Sequence, residues 1–462
     1  MGWCGLKSED YPVIIIGAGI GGLTTAAYLS QHGISSLLLE RTNSLGGRCS
    51  TRNINGCNYE IGAIYVGGGV FDHLRKTFGI TLNTTPVRCA VRAGGNFVTF
   101  PFSWKTLFEL SSCGATWLGI FFFLYRSRIL SRPDTFTKYK SVGQILDRLT
   151  SDTVIRLFLD SIFGVSGVSP YYLPSRYLYT KNPMAHYKTA NPEYLKGGNS
   201  TISTLLSHVA KEKGKIVFNV GVKKILVNQG RVTGVATDKG NFSAQIVVSN
   251  VGVRDTVLKL TNFNDWGKEY FKQIAEMKPA LKVVNIFLTF SRSIKFPLDT
   301  SVFFVSGNVN HGFKALDEGR FPTESMYILH VPSIYEHGST DDHRATLQFY
   351  YPRGNIASHE LDKYVHTVMH DGLDKLVNGL SKAVTNYTIY NPERYEKEFG
   401  FPPRVFGVSP DYRYSRVSTQ TPITNLYCVG DSVAPDGPCV PQAMESGLNC
   451  ARQIASQIKK TH

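Results

Sequence analysis

Three glycines near the start of the chain have the spacing of a phosphate-binding turn. Gly17, Gly19 and Gly22 follow the apolar run Pro12-Val-Ile-Ile-Ile and precede a segment of helix-forming composition. In such a turn the first glycine permits the tight bend, the second lets the backbone approach a pyrophosphate, and the third allows close packing of helix on strand. The spacing therefore predicts a strand, a turn and a helix whose N-terminus faces phosphate groups.

An acidic residue completes the pattern. A second apolar run, Ser36-Leu-Leu-Leu, ends on Glu40. An acid at this distance from the glycines accepts hydrogen bonds from a ribose diol in dinucleotide-binding βαβ units. The strand, helix and acid together predict a dinucleotide site.

Length and composition predict a folded chain of more than one domain. The chain has 462 residues, of which 42% are hydrophobic and only 18% charged, which excludes a disordered or fibrous protein. The formal net charge of +15 is compatible with membrane headgroups, nucleic acid or phosphorylated ligands as partners, or with solubility alone.

Several classes of protein are disfavoured by missing patterns. The eight cysteines form no Cys-x-x-Cys pair, no cluster has metal-ligand spacing, and no Gly-x-Ser-x-Gly elbow or nucleic-acid-binding motif is present. The N-terminus lacks a signal-peptide pattern, and the charge-free run Leu110 to Tyr125 is too short to span a bilayer. We therefore expect a cytoplasmic protein without metal or nucleic acid.

The order of the predicted elements indicates two interleaved domains. The nucleotide-binding part is predicted to comprise residues 1–104, 197–252 and 402–462, where glycine-rich turns and short apolar strands recur. The second part comprises residues 105–196 and 253–401, with a helical, aromatic-rich insertion followed by longer strands.

Two distant motifs resemble one flavoprotein family. Glu40-Arg-Thr-Asn-Ser-Leu-Gly-Gly47-Arg48 is similar to the acid and Gly-Gly-Arg segment of the family that contains amine oxidases, protoporphyrinogen oxidases and phytoene-desaturase-like enzymes. Tyr427-Cys-Val-Gly430-Asp431, with Pro441-Gln-Ala-Met-Glu-Ser-Gly447, resembles the second flavin motif of that family. The intervening segment Ala244 to Asn250 resembles a returning strand of desaturase-like members. The resemblance is faint between 105 and 195 and between 255 and 400.

The resemblance implies an α/β fold, with a Rossmann-like FAD-binding domain of the glutathione-reductase type interleaved with an α+β substrate domain. It implies FAD with its pyrophosphate at the glycine turn, its ribose on the acid and its adenine against a valine, while the second motif faces the diphosphate, ribityl chain and flavin. The residues implied to bind the cofactor are Gly17, Gly19, Ile20, Gly22, Glu40, Arg41, Gly47, Arg48, Val222, Gly430, Asp431, Gln442, Ala443 and Met444.

A helix predicted to begin near Pro441 has its own physical rationale. Reduction of a flavin places negative charge near N1 and O2, and a helix N-terminus offers free N–H groups and a partial positive charge. The alternative is an ordinary loop that caps a surface helix. No residue is assigned a catalytic role, although Lys282 lies in a segment resembling the strand that carries a flavin-facing lysine in amine oxidases.

The resemblance leaves three functions open. The leading one is a FAD-dependent oxidoreductase of the desaturase type, in which the flavin accepts a hydride from a lipophilic substrate and a carbon–carbon double bond forms. The alternative is an amine oxidase that forms an imine with O2 as acceptor, although no Trp follows Trp266 to complete the usual aromatic sandwich. The remote alternative is a non-enzymatic lipid-binding protein similar to GDP-dissociation inhibitors.

Aromatic and basic residues suggest two further features. Residues 110–140 combine an apolar segment with a basic border, a pattern that suits peripheral membrane contact and equally a buried helix wall. Tyrosines between 171 and 187 and at Tyr350 and Tyr351 are typical either of core packing or of an aromatic cage around a substrate.

Overall fold

The computed structural model describes residues 11–67, 69–130, 138–178, 192–296, 300–335, 342–435 and 439–461. The strands are β1 Val13–Ile16, β2 Ser36–Leu39, β3 Thr51–Ile54, β4 Cys57–Glu60, β5 Val66–Gly67, β6 Thr84–Pro86, β7 Cys89–Ala93, β8 Asn96–Phe100, β9 Pro192–Leu195, β10 Lys215–Val217, β11 Val222–Asn228, β12 Arg231–Thr237, β13 Gly240–Ser243, β14 Ile246–Ser249, β15 Lys282–Phe290, β16 Val302–Val305, β17 Tyr327–His330, β18 His343–Tyr351, β19 Val384–Tyr390 and β20 Leu426–Cys428. The helices are α1 Ile20–Gln31, α2 Gly69–Phe78, α3 Trp104–Ser112, α4 Trp117–Leu130, α5 Val142–Leu149, α6 Thr153–Gly164, α7 Ser200–Lys211, α8 Val253–Lys259, α9 Lys268–Glu276, α10 Val309–Asp317, α11 Ser358–Thr367, α12 Leu373–Leu376, α13 Pro392–Phe399 and α14 Cys439–Thr461.

A five-stranded parallel sheet, in the order β10-β2-β1-β14-β20, organises the first part of the fold. Strands β1, β2, β14 and β20 are buried along their whole length, which explains why they are mainly apolar runs rather than alternating ones. Val13 and Ile15 pack against helices α1, α7 and α14, whereas Ile14 and Ile16 pack towards β11–β13 and helices α8 and α9.

The topology of this sheet brings distant segments to one edge. Because all five strands are parallel, their carboxyl ends lie on the same side. The residues that follow β1, β2, β14 and β20 are Gly17, Glu40, Asn250 and Val429-Gly430, respectively. This edge is where ligands bind in open α/β sheets.

A seven-stranded mixed sheet, in the order β19-β15-β18-β17-β16-β7-β8, forms the second part. Strands β15 and β18 pair antiparallel along their whole length, from Lys282 with Tyr351 to Phe290 with His343. The sequence analysis assigns residues 89–100 to the nucleotide-binding part. In the structure these residues form β7 and β8 of the seven-stranded sheet, because β7 pairs with β16. The division into two domains otherwise stays a prediction.

Helices α3 to α6 lie mainly in residues 105–196, the segment for which the sequence predicts a helical insertion of the second part. They enclose a core with β7, β8 and β16, built from residues such as Leu110, Ile120 and Phe158. In the part of the chain described here, every helix is too short or too polar to cross a bilayer.

One helix is interrupted and another begins slightly earlier than the sequence predicts. Helix α11 passes into a π-helical turn at Val368–Gly372 and then into the short α12. The last helix begins at Cys439, before Pro441, which occupies its first turn, where proline removes no helical hydrogen bond.

His330 is a buried titratable group at the end of β17. Its side chain is 2% exposed, and neither ring nitrogen has a hydrogen-bond partner among the described residues. Burial lowers the pKa of His330 to about 3, because the apolar surroundings disfavour the charged imidazolium.

We predict that His330 makes the protein less stable in mild acid. Between the unfolded pKa near 6.5 and the folded pKa of about 3, the unfolded chain binds the proton and the folded chain does not, so the free energy of unfolding decreases as pH falls. His330→Leu should remove this loss, which amounts to about 2 kcal/mol between pH 8 and pH 5.

Urea unfolding at pH 8 and pH 5 measures the difference. The matched control is His359→Leu at an exposed position on α11, which should leave the pH dependence unchanged. An equal pH dependence in wild type and His330→Leu would contradict the prediction.

Candidate functional site

A cavity of about 610 Å³ extends from the carboxyl edge of the parallel sheet to one face of the seven-stranded sheet. Its size is within the range of small-molecule and cofactor sites. Of the predicted residues, Gly17, Gly19, Ile20, Glu40, Arg41, Gly47, Arg48, Val222, Gly430, Asp431 and Ala443 line it, whereas Gly22, Gln442 and Met444 do not. Whether these residues bind a cofactor stays a prediction.

The glycine turn fits its predicted geometry. Gly17 has φ +95°, a left-handed conformation that favours glycine. A Cβ on Gly22 would lie 2.2 Å from the Gly17 carbonyl oxygen, so the helix can begin this close to the turn only without a side chain there. The structure thus gives Gly22 a packing role behind the cavity wall.

Asn250, which follows β14, was not singled out in the sequence. Its Nδ2 donates to the Gly17 carbonyl at 3.3 Å. A Cβ on Gly19 would lie 2.7 Å from Nδ2, and one on Gly430 would lie 3.0 Å from Oδ1. Asn250 therefore fills the space between the turn after β1 and the loop after β20, and its only sequence signal is its position directly after a buried strand.

Glu40 is fixed by the backbone around it. Its Oε2 accepts a hydrogen bond from the Ala18 N–H at 2.7 Å, and its Oε1 accepts from the Thr42 N–H at 2.9 Å and the Thr42 hydroxyl at 2.8 Å. The carboxylate is thereby held at the cavity wall in one orientation.

Arg48 and Asp431 form an ion pair that joins the two motifs. The Arg48 guanidinium donates to Asp431 Oδ1 at 2.8 Å and to the Arg404 carbonyl at 3.2 Å. Burial would lower the pKa of Arg48, but the charge and hydrogen bond of Asp431 outweigh it and raise the pKa above its ordinary value. The pair was not predicted, although each residue was selected separately.

Other predicted residues make contacts of their own. Arg41 donates a hydrogen bond to the Gly400 carbonyl. Gln442 donates to the Asp431 carbonyl at 3.2 Å and to the Val433 carbonyl at 2.7 Å, so it supports the loop that carries Asp431. Met444 is fully buried in the core between α14 and α1. The N-terminal turn of α14 contributes Cys439, Val440, Pro441 and Ala443 to the cavity wall.

The far end of the cavity, which we call the apolar end, is lined by residues of α6, α10 and the seven-stranded sheet. The residues of this lining are Ser161, Gly164, Val165, Ser166, Tyr177, Val283, Phe304, Val305, Ser306, Val309, Phe313, Met326, Tyr327, Ile328, Gln348, Phe349 and Tyr350. None of these described residues is charged.

Polar groups at the apolar end are mostly engaged with one another. The Ser161 and Ser306 hydroxyls are hydrogen-bonded at 2.7 Å, and the Tyr350 hydroxyl donates to the Gly164 carbonyl at 3.0 Å. Gln348 Nε2 donates to Asn285 Oδ1 at 2.6 Å and to the Gly62 carbonyl at 3.2 Å. The wall therefore presents mainly apolar surface to whatever occupies it.

Some of the tyrosines that the sequence analysis names line the cavity, and others make contacts elsewhere. Tyr177 and Tyr350 line the cavity, together with Tyr65. Tyr171 donates to Asp147 at 2.7 Å, and Tyr172 lies under the Arg413 guanidinium, 4.3 Å from its ring centre. Tyr179 and Tyr187 lie outside the described residues. Lys282, at the start of β15, is absent from the described cavity lining.

Thiols and metal ligands add no reactive group. The described cysteines are free thiols, and burial raises the pKa of Cys439, at the cavity wall, to about 12, which keeps it protonated near neutral pH. Within the described ranges, no cluster of three or more His, Cys, Asp or Glu side chains could hold a metal ion.

Curated relatives resemble the chain over nearly its whole length. Prolycopene isomerase 2 from an Oncidium hybrid cultivar is 24% identical, and the match covers 98% of this chain and 85% of the relative. The 4,4'-diaponeurosporene oxygenase of Staphylococcus aureus is 22% identical, covering 97% and 99%. Both relatives are enzymes by name.

Solved structures share the mixed α/β fold. An oxidoreductase from Methanosarcina mazei superposes with a TM-score of 0.70 at 19% identity, covering 95% of this chain and 99% of that chain. Cyclohexylamine oxidase from Brevibacterium oxydans superposes with a TM-score of 0.62 at 15% identity, covering 97% and 100%. At these identities the likeness establishes the fold alone.

The chain also matches the model of a known protein family. The model described as flavin containing amine oxidoreductase matches residues 20–455, which is most of the chain. The match confirms the predicted flavin cofactor and the predicted oxidoreductase class, and it favours an enzyme over the lipid-binding alternative. The chain belongs to the flavin containing amine oxidoreductase family.

Proposed function

We propose that FAD lies in this cavity with its diphosphate at the turn of Gly17 and Gly19, its ribose on Glu40 and its flavin near the N-terminus of α14. The parallel sheet with β11–β13 would then be a Rossmann-like domain of the glutathione-reductase type. The residues fit a dinucleotide, since the turn lacks Cβ atoms at Gly17 and Gly19 and Arg48 supplies a fixed positive charge.

The proposal predicts that Gly19→Leu abolishes FAD retention. A side chain at this position would fill the space in which a diphosphate approaches the backbone, and its Cβ would also press on Asn250. The measurement is flavin absorbance per mole of purified protein, with circular dichroism to verify folding.

Gly267→Leu is the matched control. Gly267 precedes α9 with φ −67°, and a Cβ there meets no atom within 4 Å, so FAD content should be normal. Normal FAD content in folded Gly19→Leu would refute the proposed placement.

For the substrate we propose a lipophilic molecule of the polyene class, from which two hydrogens are removed. The observation that carries this proposal is the absence of charge from the described lining of the apolar end. An ammonium group buried there would lack a counter-ion, which is costly in an apolar environment. The names of the two curated relatives, which refer to carotenoids, support the same class.

The chain's own part in the reaction is positioning and exclusion of water. Bound FAD would accept both hydrogens, one carbon losing a hydride and its neighbour a proton, so that FAD becomes FADH2 as the carbon–carbon double bond forms. Phe304, Ile328 and Phe349 provide apolar walls that align a chain-like substrate. Burial raises the pKa of Tyr350, whose hydroxyl is committed to Gly164, so this group is not available as a base.

Anaerobic titration of the purified holoenzyme tests the substrate class. We expect polyenes of the carotenoid class, added in detergent, to bleach the visible flavin absorbance and to yield a product lighter by two hydrogens, whereas primary and secondary amines leave the spectrum unchanged. Bleaching by amines alone would favour amine oxidation, for which Tyr65, Tyr177 and Tyr350 offer aromatic faces. A polyene product of unchanged mass would refute dehydrogenation in favour of isomerisation.

We also propose that helices α3 and α4 dock on a membrane surface. Among the described residues, nine of the 14 exposed large hydrophobic side chains lie between Phe102 and Ile129, including Trp104 at 80% and Leu118 at 66% exposure. Arg126 and Arg128 on α4 and Lys105 on α3 supply the positive charge that attracts anionic headgroups. Helix α6 packs in the same core and lines the cavity, which connects the docking surface to the apolar end.

The docking surface predicts binding to anionic lipid vesicles. Combining Trp104→Ser, Phe108→Ser, Leu118→Ser and Phe121→Ser should weaken vesicle binding roughly 100-fold, because each exposed apolar side chain contributes to insertion. Co-sedimentation with phosphatidylglycerol vesicles measures the effect.

The control variant carries Phe263→Ser and Tyr387→Ser, which are exposed to 54% and 52% but lie outside α3 and α4. It should bind like wild type. Equal binding by the fourfold variant would show that these helices do not form the docking surface.

A further inference from the structure

The charged residues of the described cavity lining lie outside the apolar end. Five cations and three carboxylates are present, so the described lining carries a formal charge of +2. The charged residues are Glu40, Arg41, Arg48, Arg254, Asp255, Lys259, Arg404 and Asp431. This excess of positive charge suits a dianion.

Four of the five cations have partners in the protein. Arg48 pairs with Asp431, and Lys259 pairs with Asp255 at 3.0 Å. Arg41 donates to the Gly400 carbonyl, and Arg254 donates to the carbonyls of Met277 at 2.8 Å and Ala275 at 3.1 Å. These interactions hold the four side chains in place.

Arg404 is the exception. Its guanidinium forms no hydrogen bond and no ion pair with any residue that the structure describes. Its backbone is fixed, because its N–H donates to the Pro402 carbonyl at 2.9 Å and its carbonyl accepts from Arg48 at 3.2 Å. Arg404 is therefore anchored at the cavity wall through its backbone, and no described residue accepts a hydrogen bond from its guanidinium.

The surroundings of Arg404 are unfavourable to its charge. Burial is the main cause that lowers the pKa of Arg404. Asp255 and Glu396 act in the opposite direction from beyond ion-pair distance, and Arg48 and Arg254 lower the pKa further by repulsion. A half-buried cation beside another cation is stabilised when an anion lies between them.

We propose that Arg404 binds a phosphate of the FAD diphosphate and, with Arg48, forms a two-arginine clamp on it. The inference rests on the proposed placement of FAD in this cavity. The dianionic diphosphate would balance the charge of the lining, and the planar guanidinium offers paired donors to phosphate oxygens. Asp431 keeps the Arg48 side chain in position. The Arg404 side chain would be held only once the diphosphate is bound.

Variants at Arg404 test the clamp through FAD affinity rather than turnover. We expect Arg404→Gln to raise the dissociation constant of FAD by about 10- to 100-fold, as for loss of a hydrogen bond to a charged group. The measurement is the recovery of free flavin fluorescence when the holoenzyme is diluted. Arg75→Gln, on the exposed surface of α2, is the control and should not change the constant.

A second measurement keeps the test independent of folding in Arg404→Gln. Arg404→Lys preserves the charge, and the phosphorus-31 resonances of bound FAD should shift in this variant relative to wild type and Arg75→Gln. Unchanged resonances, or an unchanged dissociation constant in folded Arg404→Gln, would overturn the clamp while leaving the FAD site intact. Wild-type protein that neither contains nor takes up FAD would overturn the proposed function and the clamp together.

Discussion

Close approach of three chain segments around Asn250 is the constraint on which the site depends. The turn after β1, the end of β14 and the loop after β20 meet there, and a Cβ on Gly19 or Gly430 would lie 2.7 or 3.0 Å from the Asn250 side chain. Because this one side chain fills the space between the segments, a shift of one segment would disturb its contacts with the others. The parallel sheet therefore presents a rigid edge, and variable surroundings such as the apolar end can differ without disturbing it.

The described cavity lining keeps its charged and its uncharged residues apart. The ionised side chains lie outside the apolar end, and backbone carbonyls and ion pairs hold most of them. At the apolar end, Ser161, Ser306, Tyr350 and Gln348 form hydrogen bonds within the protein. A water-poor wall strengthens any electrostatic interaction made there and leaves few groups to react with an intermediate. This arrangement suits a reaction in which the cofactor carries the electrons and the protein supplies shape.

The glycine turn and the acid beside it could be predicted from local sequence patterns. Gly17, Gly22 and Glu40 follow from short-range rules, since a turn, a helix start and a strand end each have a residue signature. Asn250 and Arg404 have no such signature, because their partners lie in segments that only the folded sheet brings together: Asn250 contacts Gly17, and Arg48 reaches both Arg404 and Asp431. Residues 89–100 were assigned by proximity in the chain, whereas pairing with β16 decides their sheet.

The packing of α14 against α1 has a consequence for synthesis. The Thr25 hydroxyl donates to the Gly447 carbonyl at 3.2 Å, and residues of both helices share one core. During translation, β1 and α1 emerge before α14, which follows more than 400 residues later. At typical elongation rates the delay is roughly 20 to 90 seconds. Until α14 is made, the apolar surface of α1 that it covers stays exposed on the nascent chain, so we expect chaperones to bind this segment during synthesis.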